Sequence, residues 1–134
     1  KHLELLQQVG LGYLKLGQSL SSLSGGESQR LKIATELKKE GNIYIMDEPT
    51  TGLHMSDIDN FYQIVKSLVA NNNTAIIIEH NLDIIKYADW IIDMGPEGGK
   101  AGGELLFEGL PEDLVKCRQS HTGKYLKTFM EQKR

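Results

Sequence analysis

Two short, unbroken apolar runs constrain the fold of this chain more than any other feature, because each ends abruptly in ionisable side chains. Ile43-Tyr44-Ile45-Met46 runs into Asp47-Glu48-Pro49, and Ala75-Ile76-Ile77-Ile78 runs into Glu79-His80. Runs of that length without polar alternation suit strands buried on both faces of a parallel sheet. Between them lies the clearest helical pattern in the chain. Ile58, Phe61, Tyr62, Val65, Leu68 and Val69 recur at three-and-four spacing from Ser56-Asp57 until Asn71-Asn72-Asn73 stops the helix.

The remaining segments repeat the theme. Lys1 to Val9 reads as a short helix with Leu3, Leu6 and Val9 on one side. After a polar, glycine-bearing stretch, Leu23-Ser24-Gly25-Gly26-Glu27 opens a second helix. Ser24 and Glu27 stand at capping-box spacing there, and Ile33, Ala34 and Leu37 supply the apolar side. Beyond His80 come a short helix from Leu82 to Tyr87, a strand over Trp90-Ile91-Ile92, and a glycine-rich stretch from Gly95 to Gly103. Leu105-Leu106-Phe107 and two short helices, near Pro111 to Cys117 and Thr122 to Met130, close the chain. Strands alternating with helices define an α/β layer fold with a largely parallel core.

Composition narrows the function classes. At 134 residues, a net charge of -3 and 40% apolar content, the chain reads as one soluble unit. No apolar run approaches the ~20 residues needed to cross a bilayer, and no signal peptide opens the chain, so a cytoplasmic protein with no membrane partner is expected. Cys117 stands alone, which excludes an internal disulfide or a thiolate zinc cage and marks it as a small, semi-buried apolar residue. The acidic balance lends no support to nucleic-acid binding, and Lys38-Lys39, Lys124, Lys127, Lys133 and Arg134 read as solvated surface.

The chemistry concentrates at the strand ends, where α/β sheets bind their ligands. Two adjacent carboxylates, Asp47 and Glu48, suit magnesium and phosphate, since Mg2+ takes one or two carboxylates plus waters and substrate phosphates. The second carboxylate can orient or deprotonate an attacking water. The same pair could simply cap a strand and begin the turn at Pro49. At Ser24-Gly25-Gly26, a helix start with two glycines exposes backbone N–H groups to an anion, although an ordinary N-cap has the same composition. Gln29 and Arg30 read as helix-solvating.

The order of these pieces is more specific than any one of them. Leu23-Ser24-Gly25-Gly26-Glu27-Ser28-Gln29-Arg30, then an apolar strand with Asp47-Glu48-Pro49-Thr50-Thr51-Gly52-Leu53-His54, then a second strand with His80, closely resembles the ABC ATPase series of signature motif, Walker B, D-loop and switch histidine. Leu11 to Gln18, Ile78-Glu79-His80-Asn81-Leu82-Asp83, Ala88 to Asp93 and Gly95-Pro96-Glu97-Gly98-Gly99 resemble the UvrA family of the bacterial excision nuclease in particular. That resemblance implies a P-loop NTPase (ABC ATPase) fold, α/β with a mainly parallel sheet flanked by helices. Residues 1–134 would be the C-terminal portion of one ABC ATPase domain, the second of its protein.

It also implies ATP and Mg2+ as cofactors, with ATP sandwiched between two modules. Asp47 would hold Mg2+ through water, Glu48 would polarise the attacking water, and His80 would contact the γ-phosphate. Ser24, Gly25, Gly26 and Glu27 would close over ATP held by the other module. The implied function is ATP binding and hydrolysis in DNA-damage recognition during nucleotide excision repair. The implied partners are the other ABC module, a second copy of the parent protein, and, through regions mostly outside this stretch, damaged DNA and repair subunits. A UvrA-like drug-resistance ATPase is the alternative, kept open by the link Lys38-Lys39-Glu40-Gly41-Asn42, shorter than in the usual repair protein.

The phosphate-cradling Gly-x-x-x-x-Gly-Lys-[Ser/Thr] loop is missing. Gly95 through Lys100 has one residue too few, Ala101 replaces the hydroxyl, and the stretch follows His80 where the loop should precede the signature. The family's paired-cysteine zinc modules are also missing, so no zinc is expected here. The chain reads as a piece of a longer ATPase, without activity of its own. Calorimetric titration with Mg-ATP is therefore expected to be silent for the isolated chain and to show binding once the upstream loop is included. Micromolar binding by the short chain would refute this reading.

Overall fold

A computed structural model describes residues 2–36, 39–97 and 102–132, and the chain divides into two compact units, Lys1–Glu79 and His80–Arg134. Lys1, Leu37, Lys38, Lys133, Arg134 and residues 98–101 of the glycine-rich stretch lie outside the described residues.

In the first unit, α1 (His2–Gln8) leads through a single 3-10 turn (Leu20–Ser22) into α2 (Gly25–Glu36), β1 (Ile43–Asp47), α3 (Met55–Ala70) and β2 (Thr74–Ile78). The two strands pair in parallel with Ile43 opposite Thr74 and Asp47 opposite Ile78. α3 buries Ile58, Phe61, Ile64, Val65 and Leu68. Its apolar stripe therefore runs through Ile64, while Tyr62 is half-buried and Val69 exposed. The asparagine stop has a mechanism. Asn73 is buried, donates from Nδ2 to the carbonyls of Leu68 and Lys39, both at 2.8 Å, and accepts the Asn42 N–H at 2.9 Å. One amide thus ties the end of α3 to the chain entering β1, a complete use of a buried polar group.

Two expectations need correction here. β1 and β2 are covered on one face only: Met46 is buried, whereas Ile43 and Ile45 are 68% and 70% exposed, and Ile76 and Ile78 also face solvent. α3 packs against β2, and side chains alternate across a strand, so only every second residue gains that cover. Leu3 is exposed as well, because α1 meets α2 and α3 with the side that ends at Val9.

The second unit comprises α4 (Leu82–Ile85), β3 (Ile91–Gly95), β4 (Glu104–Gly109), α5 (Pro111–Leu114) and α6 (His121–Gln132). β3 and β4 pair antiparallel, with a bulge at Asp93/Met94, so among the strands of the described residues only β1 and β2 pair in parallel. α4 and α5 are single turns, shorter than the sequence pattern suggests. Ile91, Leu114 and Leu126 form the core, with Leu82, Ile85, Phe107 and the half-buried Cys117 against it.

α6 is anchored at its start. Ser120 is fully buried, its hydroxyl donates to Asp93 Oδ2 at 2.5 Å, and it accepts the Gly123 N–H at 2.7 Å, while Thr122 donates to Asp93 Oδ1 at 3.1 Å. A β-carbon on Gly123 would lie 2.4 Å from the Leu114 carbonyl oxygen. Gly123→Ala should therefore destabilise the chain by about 1–3 kcal/mol despite alanine's better helix propensity, the usual cost of overpacking. A denaturant midpoint at or above that of the parent chain would contradict the close packing of α5 on α6.

Candidate functional site

The site grows from the start of α2 and the end of β1. At the helix start the capping box is complete: the Ser24 N–H donates to Glu27 Oε2 at 2.6 Å, and the Glu27 N–H donates to Ser24 Oγ at 3.3 Å. The Tyr13 hydroxyl also donates to Glu27 Oε1. Glu27 is thus committed to holding the helix start together, two of the helix's otherwise unpaired end groups being satisfied reciprocally. Ser24 and Gly25 are exposed and Gly26 is buried.

Gly26 is where the helix meets the strand end. A β-carbon there would lie 3.3 Å from Arg30 Nη1, 3.3 Å from the Thr51 carbonyl oxygen and 3.6 Å from that of Glu48. Only glycine gives this approach without displacing a neighbour. One turn later Gln29 pairs with the Asp47 backbone as a strand would, donating to its carbonyl and accepting its N–H, both at 3.1 Å. Arg30 is 1% exposed, and its Nη1 donates to the carbonyls of Pro49 at 2.6 Å and Thr51 at 3.2 Å. Burial pulls the Arg30 pKa below the usual arginine value, and the charges of Glu27 and Asp57 act against that shift. Gln29 and Arg30 are therefore fasteners of the site; their expected solvation is overturned by carbonyl partners that lie across the fold.

Asp47 closes β1 with an exposed side chain. Glu48 follows with φ +44°, a left-handed conformation rare for a non-glycine residue. Its N–H donates to the Ile78 carbonyl at 2.9 Å, continuing the β1–β2 ladder, and its carbonyl accepts the Thr51 N–H at 3.1 Å. Pro49 and Thr50 are buried in the turn. Glu79, the residue after β2, accepts both the Thr50 N–H, at 3.0 Å, and the Thr50 hydroxyl, at 2.5 Å, on Oε1.

In the first unit the structure brings Gly26 against the turn that carries Glu48, with Ser24, Gly25 and Glu27 at the same helix start and Asp47 at the end of β1. His80 is exposed and opens the second unit, directly before Asn81, whose side chain caps α4. Among the described residues no group of three or more His, Cys, Asp or Glu side chains is placed to hold a metal ion by itself, and no helix is long and apolar enough to cross a membrane. Arg30, Gln29 and Glu79 are the residues that sequence reasoning missed. The capping box had a local spacing to betray it; these three have partners 18 to 29 residues away.

Substituting Gly26 by Val should push α2 off the turn and cost about 1–3 kcal/mol of stability. Unfolding by chemical denaturant measures this, and an unchanged midpoint would show that the approach of helix to turn is loose.

Comparison with known proteins agrees with this geometry. The family model described as ABC transporter matches residues 1–51. UvrABC system protein A of Staphylococcus aureus is 54% identical over 134 residues, covering 98% of this chain and 14% of the relative. The Borreliella burgdorferi protein of the same title is 53% identical over 132 residues, 96% of this chain and 14% of its own length. The crystal structure of UvrA2 from Deinococcus radiodurans superposes with a TM-score of 0.86 at 42% identity, over 95% of this chain and 16% of that one. The chain thus spans about one seventh of the curated relatives it matches, and its fold is that of the P-loop, ABC-type ATPases. With more than half of its residues shared across nearly its whole length, the chain belongs to the UvrA family.

Proposed function

We propose that this chain supplies two half-sites, for two different ATP molecules, to a UvrA-type ATPase of DNA-damage recognition in nucleotide excision repair. The observation that best supports this is the fastening of the α2 start to the turn after β1 by Gln29 and Arg30. Signature-type and Walker B-type residues then belong to one rigid piece. The sequence match to UvrABC system protein A at 52–54% identity over nearly the whole chain supports the repair reading.

In this reading residues 1–134 are the C-terminal portion of the second ABC module. The exposed Asp47 carboxylate at the strand end fits a hard, oxygen-seeking cation. Bound Mg2+ would neutralise charge on the nucleotide phosphates. Asp47 would hold it through water. Glu48 would accept a proton from the attacking water, its carboxylate set one residue beyond the strand by the left-handed backbone. His80 would donate a hydrogen bond to the γ-phosphate. Ser24 and the N–H groups of Gly25 and Gly26 would bind the γ-phosphate of the nucleotide held by the other module, where the helix start favours negative charge. Glu27 serves indirectly, by closing the capping box that presents those groups.

The parent protein in this proposal works as a homodimer in the cytoplasm with damaged DNA and repair subunits as partners. Zinc plays no part in this stretch.

The test is made in the full-length protein. Glu48→Gln should lower kcat about 100-fold or more while leaving Mg-ATP binding intact, the scale for loss of a general base. Ser24→Ala should impair the partner module instead, seen by trapping nucleotide and identifying which module retains it. Loss at the same module in both variants would rule out the half-site arrangement.

A further inference from the structure

We infer that Arg30 and Glu79 are positioning residues that clamp the Glu48–Thr51 turn from two sides, so that the α2 start and the end of β2 together set where Glu48 sits. The inference rests on the function proposed above.

The clamp is built from two ionised groups spent on backbone and hydroxyl partners. From the α2 side, Arg30 Nη1 reaches the Pro49 and Thr51 carbonyls. From the β2 side, Glu79 Oε1 takes the N–H and hydroxyl of Thr50, the residue between them. Three consecutive residues are thus gripped in alternating directions, carbonyl, N–H, carbonyl, directly after the strained Glu48. Charge-assisted bonds of this kind are stronger and more directional than neutral ones.

Stability alone does not account for the arrangement. Arg30 Nε is buried with no hydrogen-bond partner among the described residues, and a well-packed apolar side chain is generally the cheaper occupant of such a place. What the guanidinium adds is geometry: one nitrogen spans two carbonyls two residues apart, which fixes the turn against the helix that carries Ser24 to Glu27. Glu79, for its part, immediately precedes His80. A displacement at either end of the clamp must move the turn or break a charged hydrogen bond.

Thr50 gives the least disruptive test, in the full-length protein. Thr50→Val removes the hydroxyl bond to Glu79, while Thr50→Ser keeps it. Val should lower kcat for ATP about 10-fold with KM changed less than about twofold, and Ser should restore kcat to within about twofold of the parent. Arg30→Lys, which retains the charge but ends one atom short of the reach to Nη1, should lower kcat in the same direction. Combined with Thr50→Val its loss should be smaller than the product of the two, because both act on one turn. Equal kcat in the Val and Ser variants, a loss confined to KM or to the unfolding midpoint, or strictly multiplicative losses would each overturn the clamp. A parent protein that hydrolyses no ATP would instead overturn the proposed function.

Discussion

The first unit depends on one interaction, the burial of the Arg30 guanidinium against the carbonyls of the turn that follows β1. Gln29 beside Asp47 and Glu36 beside Tyr44 place α2 antiparallel alongside β1. Its buried apolar side chains, Ile33 and Ala34, lie in its second half, so apolar packing alone would leave the helix start soft on the turn. Hydrogen bonds to a charged donor contribute about 1.5–3 kcal/mol each, and removing the donor would take this partner from the buried Pro49 carbonyl. Gln29 adds a second register mark by completing the Asp47 backbone as a strand neighbour would. Gly26 suits this junction, because a β-carbon there would sit 3.3 Å from Arg30 Nη1 and from the Thr51 carbonyl oxygen, and one of them would have to give way.

The turn held in this way contains a residue in an unfavourable conformation. Left-handed backbone costs a non-glycine residue about 1–2 kcal/mol, and it persists where the surroundings over-determine it. Around Glu48 they do: its N–H continues the sheet ladder, its carbonyl closes the turn onto Thr51, and the next three residues are gripped by Arg30 and Glu79. The direction of the Glu48 side chain is consequently set by backbone geometry.

Much of this was legible in the sequence, and the pattern of successes has a physical cause. The capping box at Ser24 and Glu27, the amphipathic α3 and the two apolar runs are local signals, carried by residues within a few positions of one another. They yielded most of the elements and a parallel sheet, seen in the pairing of β1 with β2; the approach of Gly26 to the turn after β1 was not among them. The roles of Gln29, Arg30 and Glu79 were illegible because their partners are main-chain groups or a lone threonine far along the chain, and a carbonyl leaves no trace in residue identity. Two-faced burial was over-read for β1 and β2, since an uninterrupted apolar run records what a strand can tolerate on both faces and not what covers them in this chain. The antiparallel β3–β4 pair escaped for a related reason: a short apolar run carries no mark of the direction in which its strand pairs.

The proposed division of labour gives a consequence to how these pieces are joined. If Ser24 to Gly26 serve one nucleotide and Asp47 and Glu48 another, the two half-sites share a single helix-to-turn junction, with Gly26 wedged against Arg30 and Thr51. Such a junction has few ways to deform: packed interfaces tend to switch between discrete arrangements and resist gradual bending. Binding energy that draws the helix start toward one phosphate must then act on the turn that presents Glu48 to the other. Linkage would make this reciprocal for the two affinities, and in the proposed arrangement the junction at Gly26 would be the element that makes the two half-sites interdependent.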